Sequence, residues 1–142
     1  MRNFTCSNLV LTLSLSSLMA VNAQAFELNL IIDNISKQSG TLMIALVNSE
    51  ASFADKTAAF KALKLAAHPP SQTIEFGDVP PGDYAVKLYL DENNNGQLDR
   101  NMLGIPKEGY GFSNNGGALG QPAFKDAKFS VQKNSIITIH LR

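Results

Sequence analysis

The feature that constrains this chain most is a period-two alternation of apolar and polar residues, repeated in short runs from residue 26 onward. Successive side chains on a strand point to opposite faces, so this period marks a strand with one face buried. In "FELNLIID", Phe26, Leu28, Leu30 and Ile32 share one face, and Glu27, Asn29 and Asp33 the other. "QTIEF" sets Ile74 and Phe76 against Thr73 and Glu75. "YAVKLYL" aligns Tyr84, Val86, Leu88 and Leu90, and "SIITIHLR" aligns Ile137, Ile139 and Leu141. "TLMIALVN" is apolar on both faces, as a central strand is, and "AKFSV" adds a short run.

Polar turns separate these runs. "KQSG" at 37 to 40 predicts a hairpin between the first two strands. Pro81-Gly82 predicts a tight turn before Tyr84. Residues 52 to 67, "SFADKTAAFKALKLAA", are ambiguous: Ser52 and Asp55 are spaced as a helix capping pair, whereas Lys61, Leu63, Leu65 and Ala67 alternate. A short helical turn near 53 to 60 and a strand to about 67 are expected, ending at His68-Pro69-Pro70. With no internal repeat, about seven short strands imply an all-β fold, an antiparallel β-sandwich with one helical turn.

The N-terminus follows other rules. Met1 and Arg2 precede an apolar run at 9 to 21, "LVLTLSLSSLMAV", and "NAQA" then sets Ala23 and Ala25 in the small-x-small pattern of a signal-peptidase site. The run is shorter than the about 20 residues of a bilayer span. Residues 1 to 25 are expected to be a cleaved signal, and 26 to 142 one exported domain without a membrane span, periplasmic or secreted. The only cysteine, Cys6, lies inside the signal, which leaves no disulfide and no thiolate site. Loss of Arg2 leaves 11 basic and 12 acidic residues, a net charge of −1, with the basic ones scattered. No basic stripe is offered to nucleic acid or to an anionic membrane.

One segment has the spacing of a cation site. In "LYLDENNNGQLDRNMLG", Asp91, Asn93 and Asn95 place oxygens at alternate positions. Gly96 permits a bend, the Gln97 carbonyl follows, Leu98 is an apolar anchor, and Asp99 stands where a ligand often acts through water. Calcium takes six to eight oxygens, and loops supply them in this rhythm. The bidentate carboxylate due three residues later is replaced by Met102, and the flank is a strand rather than a helix. Glu108, reached through the turn-prone Gly104 and Pro106, is the carboxylate expected to close the site from outside. Affinity would be that of extracellular modules, about 10⁻⁴ to 10⁻³ M. The competing reading is an Asn/Gly turn closed by side-chain hydrogen bonds. A second candidate is "GYGFSNNGGALG", read as a long loop whose Tyr110, Phe112, Ser113, Asn114 and Asn115 offer a binding surface for a glycan or an envelope protein, or whose aromatics fold back to cap the sandwich.

Two resemblances follow. An apolar position, "PPG" and then Tyr84-x-Val86 resemble the transthyretin-like (prealbumin-like) sandwich modules of secreted proteins. "PPGDYAVKLYLDEN", "DENNNGQLDRN", "GIPKEGYGFSNN" and "GALGQPAFKDAKFSV", in that order, resemble an uncharacterised family of secreted bacterial proteins known only as a domain of unknown function. The resemblance spans essentially residues 26 to 142 and implies an extracytoplasmic domain with no established activity.

Catalytic signatures are sparse. There is no G-x-S-x-G, H-E-x-x-H or phosphate-cradling glycine loop; Ser113 lacks a nucleophile elbow. His68 sits in a proline turn and His140 on an outward strand face. The expectation is a non-enzymatic binding or accessory module with a calcium-stabilised loop. The alternatives are a hydrolase of an envelope glycan or peptide using carboxylates in 91 to 108, and a structural sandwich without metal.

Overall fold

The computed structural model describes residues 24–37, 39–118 and 120–142. The expected signal at 1 to 25 lies outside the described residues except for Gln24 and Ala25. Eight strands form: β1 Phe26–Asp33, β2 Thr41–Val47, β3 Lys61–Ala66, β4 Gln72–Val79, β5 Gly82–Asp91, β6 Tyr110–Phe112, β7 Phe129–Val131 and β8 Ser135–His140. Among the described residues they are joined by two four-residue helices, α1 Glu50–Phe53 and α2 Phe124–Ala127, and a 3₁₀ turn at Ser113–Asn115. The fold is all-β and sandwich-like. One sheet has the order β4-β1-β8 and the other β3-β2-β5-β6, with β7 also pairing β5.

The alternating faces meet between the sheets. Leu28, Leu30, Ile32, Ile74, Phe76 and Ile139 from the three-stranded sheet pack on Leu42, Ile44, Leu46, Val86, Leu88 and Leu90 from the other. Fully burying one such side chain contributes about 1.5–3 kcal/mol. Among the described residues no helix is long and apolar enough to cross a membrane.

The structure corrects three local expectations. β1 and β2 do not form a hairpin: β1 pairs with β4 and β8, whereas β2 pairs with β3 and β5. The connector crosses between sheets, and Ile35 within it is buried, its N–H bonded to the Pro70 carbonyl at 3.0 Å. At Gly40, φ is +121° and a Cβ would stand 2.8 Å from the Asp91 carbonyl oxygen, so the chain turns there against β5 without room for a side chain. The connection expected to be tight at Pro81-Gly82 is short, running from Val79 of β4 to Gly82 of β5, and it too passes between the sheets. One pair, β1 with β8, is parallel, so the sandwich is mostly rather than wholly antiparallel.

The helical turn lies earlier than its expected place. Ser49 is the N-cap, its hydroxyl accepting from Ser52 N at 3.2 Å, and Asp55 falls past the helix end with φ +57°. The strand expected to about 67 does form as β3, an edge strand carrying Lys61 and Lys64. Lysines on an edge discourage pairing with another chain.

Candidate functional site

The segment 91–108 is built on β5. Asp91 ends that strand with its side chain buried, 2 % exposed. Its two oxygens accept from Asn95 N at 3.1 Å and Gly96 N at 2.7 Å. Asn93 Oδ1 also accepts from Asn95 N, and Asn95 Oδ1 from Gln97 N at 2.8 Å. Asp99 receives the amide nitrogens of Asn93 at 2.7 Å and Asn95 at 3.0 Å. Asn94 at φ +58° bends the chain, and its carbonyl oxygen Oδ1 accepts from Thr41 on β2 at 2.6 Å. Tyr89 donates its hydroxyl to the Gly96 carbonyl at 3.0 Å.

Glu108 comes to the base of this loop from outside and is 7 % exposed. Its oxygens accept from Glu92 N and Asp99 N, both at 2.9 Å. A carboxylate accepting two backbone N–H groups forms charge-assisted bonds, about twice as strong as neutral ones. The structure thus brings Asp91, Asn93, Asn95, Gln97, Asp99 and Glu108 into one segment, with the side-chain oxygens of the two Asp, the two Asn and Glu108 met by nitrogen donors of the loop itself. Among the described residues no group of three or more His, Cys, Asp or Glu is placed to hold a metal ion.

The segment expected as a long loop is largely ordered structure. Tyr110–Phe112 is β6, paired antiparallel to Lys87, Leu88 and Tyr89 of β5. Gly111 within the strand and Gly109 before it leave no period-two signal. Phe112 is 8 % exposed, in a second core cluster with Val47, Phe53, Ala85 and Ala127. Its ring lies 6.0 Å from those of Phe53 and Tyr110. Ser113 is buried, its hydroxyl accepting from Val86 N at 2.9 Å and donating to the Ala127 carbonyl at 2.5 Å. Asn114 donates to the Asp126 and Lys128 carbonyls, and Asn115 donates to the Thr138 carbonyl while accepting from His140 N. The three polar residues therefore tie β6 to α2 and β8, and Tyr110 and Phe112 face a cleft.

That cleft, of about 320 Å³, opens on the outer face of the five-stranded sheet. Met43, Ala45, Tyr89, Tyr110 and Phe112 form its floor and sides, and Leu98 and Arg100 of the 91–108 segment wall one end. Asp55 and Gln121 stand at its margin. Lys87 lies in it with Nζ donating to Asp55 at 2.6 Å and to the Phe53 carbonyl at 2.8 Å, 5.8 Å from the Phe53 ring. Sequence reasoning missed the cleft because its residues come from seven separate segments, most of them on the outward face of strands read by their inward one. Burial, then the charges of Asp91, Glu108 and Asp55, hold the Tyr89 phenol above its usual range.

One further polar grouping was not foreseen. Asp33 accepts from the Ser71 hydroxyl at 2.5 Å and stands 3.5 Å from His140 Nδ1. A nucleophilic relay needs the histidine between serine and carboxylate. Here the carboxylate lies between the other two.

The matched family is described as "Uncharacterized protein conserved in bacteria (DUF2141)", and its model covers residues 31–138. The chain belongs to the DUF2141 family. No curated protein and no solved structure matches it. The DUF2141 match runs from β1 into β8 and so takes in the 91–108 segment, the β6 strand and the strands that floor the cleft.

Proposed function

We propose that the protein is a non-enzymatic binding module of the bacterial cell envelope, which takes a short glycan or peptide fragment in the cleft on the five-stranded sheet. The cleft itself carries this reading. Its volume is at the lower end of small-ligand sites, and it combines an apolar floor with a few polar groups, as such sites do. Tyr89 and Tyr110 offer aromatic surface, and Lys64 and Arg100 line it with donors. Location in the periplasm or outside the cell is supported by the signal pattern of residues 1 to 25. N-terminal sequencing of the exported chain tests it, and a mature chain beginning at Met1 sinks it.

Calcium enters as a proposed structural ion of the wall, held by Asp91, Asn93, Asn95, the Gln97 carbonyl and Asp99, with Glu108 at the base. The alternation of oxygens supports this. Thermal unfolding in calcium and in chelator decides it: an unchanged midpoint removes the ion and leaves a hydrogen-bonded turn. For the cleft, calorimetric titration with soluble glycan and peptide fragments of the envelope is expected to show binding that Ala45→Phe abolishes, because a ring there fills the floor. Equal binding by the filled variant overturns the reading.

A further inference from the structure

The segment between Asp99 and Lys107 forms a small hairpin of its own. Lys107 N bonds the Asp99 carbonyl at 2.8 Å, Arg100 bridges Pro106, and Asn101 N bonds the Ile105 carbonyl at 2.9 Å. Its tip presents Met102, Leu103 and Ile105 at 104 %, 84 % and 55 % exposure. Three large apolar side chains grouped on one projection are unusual for a surface that meets only water.

Part of the tip's backbone is also bonded within the hairpin. Asn101 Oδ1 accepts from Leu103 N at 2.9 Å and Ile105 N at 3.0 Å, and the Asn101 carbonyl accepts from Gly104 N at 2.9 Å. The Gly104 carbonyl accepts from the Arg100 guanidinium at 3.0 Å. Unsatisfied backbone groups are what keeps irregular chain out of a hydrocarbon phase, so these bonds lower the penalty for bringing the tip into the interface, where the Met102 and Leu103 carbonyls can still meet headgroup water.

Charge selects the occupant. Arg100 and Lys107 lie on the hairpin one and two rungs below the tip, and no acidic residue lies between them in sequence. The flanking carboxylates of Asp99 and Glu108 accept internal donors. At about 3.3 Å per residue, Lys107 stands roughly 10 Å behind the tip, the depth to which interfacial elements bury their apolar face, whereas the Arg100 guanidinium reaches forward to the Gly104 carbonyl. The scattered basic residues make no stripe along the sequence, yet folding sets these two beside the apolar group.

From this we infer that the 100–107 hairpin is a peripheral anchor that inserts Met102, Leu103 and Ile105 into the interface of an anionic lipid membrane, with Lys107 at headgroup level and Arg100 close behind the inserted side chains, within reach of lipid phosphates. A convex tip of this kind suits a deformable lipid surface and needs no preformed pocket. Arg100 also walls the cleft, so the anchor turns that end of the cleft toward the membrane. The inference does not depend on what the cleft binds.

The chain lacks tryptophan, so Leu103→Trp is a single reporter at the tip. The protein is recovered from an exporting host, so that all variants share one N-terminus. It is mixed with vesicles of equimolar phosphatidylglycerol and phosphatidylethanolamine, or of phosphatidylcholine. Binding to the anionic vesicles is expected, weakened by salt, with a blue shift of the Leu103→Trp emission. The triple variant Met102→Ser, Leu103→Ser, Ile105→Ser should bind at least about tenfold more weakly while keeping its thermal midpoint, since these side chains are exposed. The inference is overturned if the wild type stays unbound, if the triple variant binds equally, or if the reporter does not shift. It is also overturned if ultracentrifugation shows a self-association that the triple variant abolishes while vesicles are ignored, because the tip would then serve a protein contact.

Discussion

Glu108 shows how one side chain can decide whether a loop holds its shape. Both carboxylate oxygens receive backbone N–H groups, one from each end of the 92–99 turn. Glu108→Gln keeps one acceptor and turns an NH₂ group toward the other N–H. Leaving a buried donor unsatisfied costs about 1–3 kcal/mol, so the variant should lose stability of that order in denaturant unfolding, with chelator present. No loss in chelator would mean that Glu108 acts only through an ion. Ser113 has a comparable position at the other end of β6, against the same edge of β5. It bonds Val86, which falls between the β7 pairing at Gly82 to Tyr84 and the β6 pairing at Lys87 to Tyr89. Ser113→Ala should also destabilise by about 1–3 kcal/mol. Both roles were illegible in the sequence, where Glu108 read as a ligand and Ser113 as part of an exposed surface. A side chain's oxygen can be counted from the sequence, but the backbone donor that claims it is set by the fold.

Among the elements, β6 carries the most information. It has three residues, yet it links the two sheets: Tyr110 N bonds the Arg142 carbonyl and Arg142 N bonds the Tyr110 carbonyl. The approach depends on Gly111, where a Cβ would come within 2.5 Å of Ile139 Cγ2 in the core. Gly111→Ala should therefore destabilise by about 1–3 kcal/mol through overpacking, read as a lower unfolding midpoint. β5 adds a pH dependence. The Tyr89 phenol is raised, first by burial and then by neighbouring carboxylates, and Tyr84 is raised by burial. A raised folded value means that their contribution is complete below the unfolded value of about 10 and is lost as pH rises through the folded one. Unfolding midpoints should fall in that alkaline window, and Tyr89→Phe should reduce the fall. The strands with a buried face, β1, β4, β5 and β8, were legible because period two states which side is inward. β6 was not, since Gly109 and Gly111 leave nothing to alternate.

At the scale of the molecule, period two identifies a strand's inner face without identifying its neighbour, which is why β1 and β2 read as a hairpin although they lie in opposite sheets. The real neighbours of β1 are β4 and β8, and the second of these is almost the last segment of the chain. Leu28 sits opposite Ser135 and Asp33 opposite His140. A chain ending before Ser135 would leave one edge of β1 unpaired and lose the buried Ile139 and Leu141, so it should show no cooperative unfolding transition by circular dichroism. The same pairing imposes an order in time. Strand β1 must wait for β8, on the far side of all the other strands in the sequence, before its sheet can close, and such long-range closure is slow. Until then one edge of β1 stays open, a row of unpaired backbone groups that any other extended segment could join.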